Sequence, residues 1–268
     1  MCCFTIPTPS NVWQRFFGAR VHVSATNIFA RITAPGVQVL AYSMNLRTSH
    51  DVAMVLPVPV RPNAGENAVR FIDLSAHPNM FSDLDMLFAM EVQALPKGGL
   101  VPAFSGARPT LVVYDVGSFI ASYVPSRHDF DRLDRRFWLP RVLFDAVPHY
   151  KDYGFAVFQL KPGKVTVHPM AFSFPSRELD RLFFPTVHLH DGRYHARARF
   201  DHALYYQHPR VYRWDGGAFE SDAVSVKPPD KDYAGLIDLN RAVIRRKLRG
   251  RFANEDVWVT TGRPQTVG

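Results

Sequence analysis

Short runs of alternating apolar and polar residues, cut at close intervals by proline and glycine, constrain this chain more than any other feature. Alternation puts successive side chains on opposite faces of a strand, and turn residues fold one strand back on the next. The pattern is clearest from Val21 to Leu46. There Val21, Val23 and Ala25 alternate with His22, Ser24 and Thr26, and Ala34-Pro35-Gly36 precedes Val37-Gln38-Val39-Leu40. This segment predicts a β-hairpin.

Further strands are expected over 110–116 and 118–124, joined at Gly117. More follow over 153–160, 164–174, 182–190 and 194–207, with turn signals at Pro162-Gly163, Pro175-Ser176 and Asp191-Gly192. Val52 to Val60 is apolar and β-branched, but Pro57 and Pro59 cannot donate to a ladder. It is expected at a sheet edge or running into an extended loop. Ser82-Asp83-Leu84-Asp85 and Ser126 with Asp129 resemble capping boxes, each opening a short helix. A further helical stretch is expected around 142–146. Tyr233 to Leu248 reads as an amphipathic C-terminal helix closed by Gly250, with Leu236, Leu239 and Val243 on its apolar side. The expected fold class is α+β, strand-rich, with mainly antiparallel sheets and a few peripheral helices. Residues 1–268 are expected to form one domain.

An apolar fraction of 47% and 21 phenylalanines in 268 residues supply a large core and argue against disorder. Val52 to Pro59 is far shorter than the roughly 20 residues that span a bilayer. The polar residues among positions 1–20 break any signal-like hydrophobic run. Cys2 and Cys3 are adjacent, so no disulfide framework is expected, and the expected compartment is the cytoplasm. A formal net charge of +8 permits an acidic partner without identifying one.

Several chemistries lose their main support. The chain has no glycine-rich dinucleotide or P-loop fingerprint, no G-x-S-x-G elbow and no H-E-x-x-H helix, so no nucleotide cofactor is expected. Three features remain. In Val187-His188-Leu189-His190-Asp191-Gly192-Arg193-Tyr194-His195, strand alternation and an Asp-Gly turn put His188, His190 and His195 on one face of a hairpin. Three imidazoles with a vacant position suit zinc or copper. Asp201, His168, Cys2 and Cys3 are candidate further ligands or outer partners. His202 is the weaker candidate, because strand parity turns it to the opposite face.

The second feature is Cys2. With Met1 removed it carries a thiol and a free α-amine, the pair an N-terminal nucleophile hydrolase needs. The third is a run of cations, Arg241, Arg245, Arg246, Lys247, Arg249 and Arg251, with no acid between them. On a helix Arg241, Arg245 and Arg249 share a face that would dock an acidic partner. Trp138, Trp214 and Trp258 read as core anchors.

Val52-Ala53-Met54-Val55-Leu56-Pro57-Val58-Pro59 resembles the V-L-P-V-P signature of a family of uncharacterised bacterial proteins. The stretches His168-Pro169-Met170-Ala171-Phe172-Ser173-Phe174 and Leu182-Phe183-Phe184-Pro185 are similar to a later part of the same family. The resemblance implies homology and no activity. The leading sequence reading is therefore metal binding through His188, His190 and His195, with enzymatic use of that metal left open. The alternatives are a noncatalytic protein docking an acidic partner through the basic helix, and an N-terminal cysteine hydrolase.

Overall fold

The computed structural model describes residues 2–5, 22–48, 51–90, 113–116, 119–134, 150–161, 163–189, 194–208 and 223–261. Its elements in chain order begin with β1 (Cys2–Thr5), β2 (His22–Ala34), β3 (Val37–Thr48), β4 (Val52–Val58) and β5 (Arg70–Ile72). Helix α1 (Met80–Met90) follows, then β6 (Val113–Val116), β7 (Phe119–Val124) and a 3₁₀ turn over Arg127–Arg132. The remaining strands are β8 (Gly154–Leu160), β9 (Gly163–Pro175), β10 (Arg181–Phe184), β11 (His188–Leu189) and β12 (Arg197–Gln207). After them come β13 (Ala223–Val226), β14 (Val243–Ala253) and β15 (Val257–Thr260).

The strands form a six-stranded sheet, β11-β1-β4-β8-β7-β6, a seven-stranded sheet, β13-β14-β12-β2-β3-β9-β5, and the pair β10-β15. Pairing is antiparallel except between β1 and β11 and between β12 and β2. The protein is strand-rich with mainly antiparallel sheets, as the alternation predicts.

The two large sheets enclose a common core. Ile28, Tyr42, Phe172, Phe200 and Tyr206 meet Met54, Leu56 and Phe158 there, all essentially inaccessible. Each sheet also buries part of its outer face. Ala53, Val55, Phe155 and Val157 pack beneath Phe130 and Leu133 of the 3₁₀ turn and its end. Phe29, Ala41 and Tyr205 pack beneath Phe81, Leu84 and Phe88 of α1 and beneath Leu236 and Ile237. A strand covered on both faces loses its polar alternation. All seven residues of β4 are buried for that reason.

The hairpin β2–β3 forms around Pro35-Gly36, with Gly36 at φ +70°. A turn with proline first and a positive φ second takes glycine there. A side chain at Gly36 would also run into the Arg61 guanidinium.

Four expectations need correction. β4 is an interior strand, flanked by β1 and β8. Its proline is tolerated because β1 pairs only Ala53 to Val55, so Pro57 answers to a ladder on one side. Helix α1 begins at Met80, which puts Ser82 inside the helix, not at its cap. The Ser126 cap does form: its hydroxyl accepts from His128 N–H at 3.2 Å and donates to Asp129 at 2.7 Å. It opens only a six-residue 3₁₀ helix, which ends at Leu133. The expected helix at 142–146 lies outside the described residues.

The C-terminal helix does not form. Tyr233, Ala234 and Gly235 all have positive φ, a left-handed run that no α-helix accommodates. Val243 to Ala253 is strand β14, paired residue by residue with β12 from Ile244 to Ala253. Positions four apart share a face on a strand as well as on a helix, so the spacing of Arg245 and Arg249 fits both. The β-branched pair Val243-Ile244 and the glycine at 250, seated opposite Phe200, belong to the strand.

Candidate functional site

Strand β12 carries different chemistry on its two faces. Phe200, His202, Leu204 and Tyr206 point into the inter-sheet core, and Arg199, Asp201 and Ala203 point outward. Across the ladder Arg199 faces Arg251, Asp201 faces Arg249, Ala203 faces Lys247 and Tyr205 faces Arg245. Toward Tyr205 this outer face is covered by α1. Toward Arg199 it is open, and Arg199, Lys247, Arg249 and Arg251 are exposed.

The open end is strongly cationic. Asp201 is the acid among these neighbours, and both its oxygens are engaged. Oδ2 accepts from Ala25 N–H at 3.1 Å, and Oδ1 lies 3.5 Å from Arg249 Nε. Ala25 sits in a β-bulge between Ser24 and Asn27 at φ +49°, which turns its N–H toward that carboxylate. Among the described residues no carboxylate forms an ion pair with Arg199, Lys247 or Arg251. The Lys247 ammonium is held below its ordinary value by partial burial and by the charges of Arg245 and Arg249. A cavity of about 250 Å³ opens beside α1, with Ser82, Asp85, Asp201, Lys247 and Arg249 in its wall.

The residues first singled out on the basic segment divide differently. Arg241 lies on a bend before β14, and its Nε donates to Asp238 at 2.8 Å. Arg245 is mostly buried, donating to Asp85 at 2.5 Å with its guanidinium 4.2 Å from the centre of the Phe88 ring. Of the three, Arg249 alone presents its charge to solvent, with 70% of its side chain exposed. Arg199, on a different strand, was missed. Only the β12–β14 register brings it to Arg251.

The histidine hairpin is not formed. His188 belongs to β11, which pairs with β1 in the six-stranded sheet, while β12 belongs to the seven-stranded sheet. With β11 and β12 in different sheets, His188 and His195 are not ladder partners. His190 lies outside the described residues, and His195 is exposed ahead of β12. Asn254 joins the two backbones instead. Its Nδ2 donates to the carbonyls of His188 and His195, both at 2.9 Å, and its Oδ1 accepts from His188 N–H at 2.7 Å.

The partner of the His188 ring is His202. Their Nε2 atoms stand 3.3 Å apart, and Phe200 stacks on His188 with ring centres 4.5 Å apart. Strand parity does turn His202 away from Asp201, but that inward face is where β11 brings His188. Among the described residues no three His, Cys, Asp or Glu side chains converge to hold a metal ion. His168 lies elsewhere, half-buried with its ring 4.8 Å from Phe119, and burial lowers its pKa. β1 holds Cys2 opposite His188 in the parallel pair, a backbone placement only. Trp258 packs on Phe183 with ring centres 4.8 Å apart, and Trp138 and Trp214 lie outside the described residues.

These observations describe a strand-rich protein of two stacked, mainly antiparallel sheets with a cationic outer face. No family model matches the chain. Among described residues no helix is long and apolar enough to cross a membrane. Similar solved structures include that of baculovirus P35, at 12% identity over 91% of this chain and 98% of the other, with a TM-score of 0.48. Another is P35 in its complex with caspase-8, at 12% identity over 89% of this chain and 97% of that one, again at 0.48.

Proposed function

We propose that this protein is a noncatalytic docking protein that captures an acidic, extended polypeptide segment on the outer face of β12 and β14. The observation that carries this reading is the cross-strand cluster of Arg199, Lys247, Arg249 and Arg251, exposed together around one engaged carboxylate. Like charges placed opposite each other in a ladder destabilise it. Arg199 facing Arg251 therefore has a cost that an incoming anion relieves.

The spacing favours a peptide. Lys247, Arg249 and Arg251 recur every second residue, about 6.8 Å apart along the strand. An extended acidic segment presents carboxylates at the same repeat. Among the described residues β13 pairs β14 from Val243 to Arg246, and β12 pairs it from Ile244 to Ala253, so the ladder holds the cations in one extended row.

The test is fluorescence anisotropy with a labelled oligoglutamate peptide at low salt. A single-stranded oligonucleotide of equal charge and anionic vesicles run alongside. The native protein should bind the peptide and release it as salt rises. Replacing Arg199, Lys247, Arg249 and Arg251 together with Gln removes four contacts worth about 0.3–1 kcal/mol each. That should weaken binding at least about tenfold. Arg241→Gln should change nothing, because Arg241 is already paired with Asp238. Failure to bind the peptide at low salt, or capture of the oligonucleotide or vesicles in its place, overturns the proposal.

A further inference from the structure

We infer that His188 and His202 form a two-histidine site for a tetrahedral divalent cation, zinc in the first instance. Both rings lie on the inward side of β12, and the cavity beside them is also bordered by Arg199 and Asp201 of the outer face.

The argument starts from the 3.3 Å between the two Nε2 atoms. Without an ion, one ring donates to the other in the appropriate tautomer, and the same separation suits two nitrogens that share one ion. Two ligands at the zinc–imidazole distance of 2.0–2.1 Å, separated by a tetrahedral angle, lie about 3.3–3.4 Å apart. At a right angle, as in a square-planar copper site, the same bond lengths would bring them to about 2.8–3.0 Å. The observed separation matches the tetrahedral case. The ring centres are 4.9 Å apart, so the rings lean together at their Nε2 edges.

The surroundings suit an ion. His202 is 4% exposed and packs on Phe200 at 5.2 Å between ring centres. Phe200 also covers His188, so both imidazoles are held apart from bulk water on that side. An apolar cover of this kind controls solvent access and the local dielectric around a ligated ion. Beside the pair lies a cavity of about 230 Å³ bordered by His22, Ser24, Thr26, Arg199 and Asp201. It is large enough and polar enough for water to fill the other two coordination positions.

The His188 backbone is fixed at both its N–H and its carbonyl by Asn254, which is fully buried. Its His202 counterpart sits in mid-strand between Thr26 and Leu248. The ligand backbones therefore come from two different sheets, each held by its own ladder or clamp. A bound ion would tie the sheets together at this edge of the core.

The experiment uses untagged, metal-free full-length protein titrated with ZnCl₂ by isothermal calorimetry, with thermal melting in parallel. One zinc per chain is expected, with a melting temperature that rises with zinc concentration. Co²⁺ should give the visible absorption of a tetrahedral complex. His188→Gln and His202→Gln should each lower zinc affinity at least about tenfold, and His195→Gln should leave it unchanged. If His202→Gln does not fold, His188→Gln carries the test, because that ring is only half-buried. Absence of zinc binding by the native protein overturns the inference. So does zinc binding undiminished in His188→Gln, and so does binding of Cu²⁺ without Zn²⁺.

Discussion

Replacing Asn254 should destabilise this protein more than replacing any exposed charge on β14. The side chain is 0% exposed and makes three hydrogen bonds, all to the backbones of His188 and His195. Its own N–H donates to the Ala196 carbonyl at 2.9 Å, so the residue sits where the β11 segment and the approach to β12 meet. In Asn254→Ala the His188 N–H and carbonyl lose buried partners, at about 1–2 kcal/mol each. The His195 carbonyl belongs to an exposed residue and can turn to water. The expected loss is therefore about 2–4 kcal/mol, a large share of a typical stability of 5–15 kcal/mol. Asn254→Asp keeps the acceptor for His188 N–H but aims a carboxylate oxygen at two carbonyls in a dry site. It should be less stable than the alanine variant at neutral pH. It should recover as the pH falls, because the folded site favours the protonated acid over the carboxylate. Urea unfolding followed by circular dichroism measures both, with the midpoint moving at unchanged m-value. An alanine variant within about 0.5 kcal/mol of the native protein, or an aspartate variant as stable as alanine at pH 7.5, would refute the clamp.

Two further outcomes follow from the core. A Cβ on Gly154 would stand 2.6 and 2.8 Å from two ring carbons of Tyr123 and against its hydroxyl. Tyr123 is 4% exposed and cannot swing away, so Gly154→Ala should cost about 1–3 kcal/mol in urea unfolding. The Tyr123 hydroxyl is pushed up to about 12, first by burial and then by the charge of Asp129. Tyr153 is pushed up to about 12 by burial and by Asp256. A folded-state value above the unfolded value of 10.0 means the folded chain holds its proton more tightly. The stability these two tyrosines contribute should therefore be level below pH 10 and be lost between pH 10 and about 12. The fall should track tyrosinate absorbance and be shallower in Tyr123→Phe.

The sequence was most legible where local pattern and tertiary environment agree. The β2–β3 hairpin combines alternation with a Pro-Gly turn, and both follow from neighbouring residues alone. Legibility failed where a pattern fits two structures. Arg245 and Arg249 are four apart, and four is even, so the same residues align on a strand. What separates the two cases is pairing with β12, some 45 residues away. It failed again at β4, where seven buried residues in a row record cover on both faces and not an edge. The histidine cluster failed for a third reason. Alternation and an Asp-Gly turn describe a hairpin within one sheet, but β11 and β12 lie in different sheets. No local pattern encodes the change. The parity of His202 was read correctly, and its consequence was inverted, because parity separates two faces without saying which one the distant strand approaches.

Both candidate sites therefore depend on the register of one strand, and the structure shows what fixes it. A slip of β12 by one residue would turn His202 outward and carry Asp201 into the core, since side chains alternate with period two. Two polar side chains of the same parity oppose that slip. At one end Asp201 accepts the N–H of Ala25, available only because the bulge holds Ala25 at positive φ. At the other end Gln207, fully buried, donates to the carbonyls of Asp238 and Arg241 at 2.7 and 2.8 Å and accepts from Asp238 N–H at 2.7 Å. All four bonds go to backbone that a slipped strand would no longer reach. A slip would leave the Gln207 amide buried and unsatisfied, at about 1–3 kcal/mol for each stranded group. It would also bring an unpaired carboxylate into the apolar interior, where burial of a charge costs more. The same residues that keep cations on the outside of β12 thereby keep His202 facing His188.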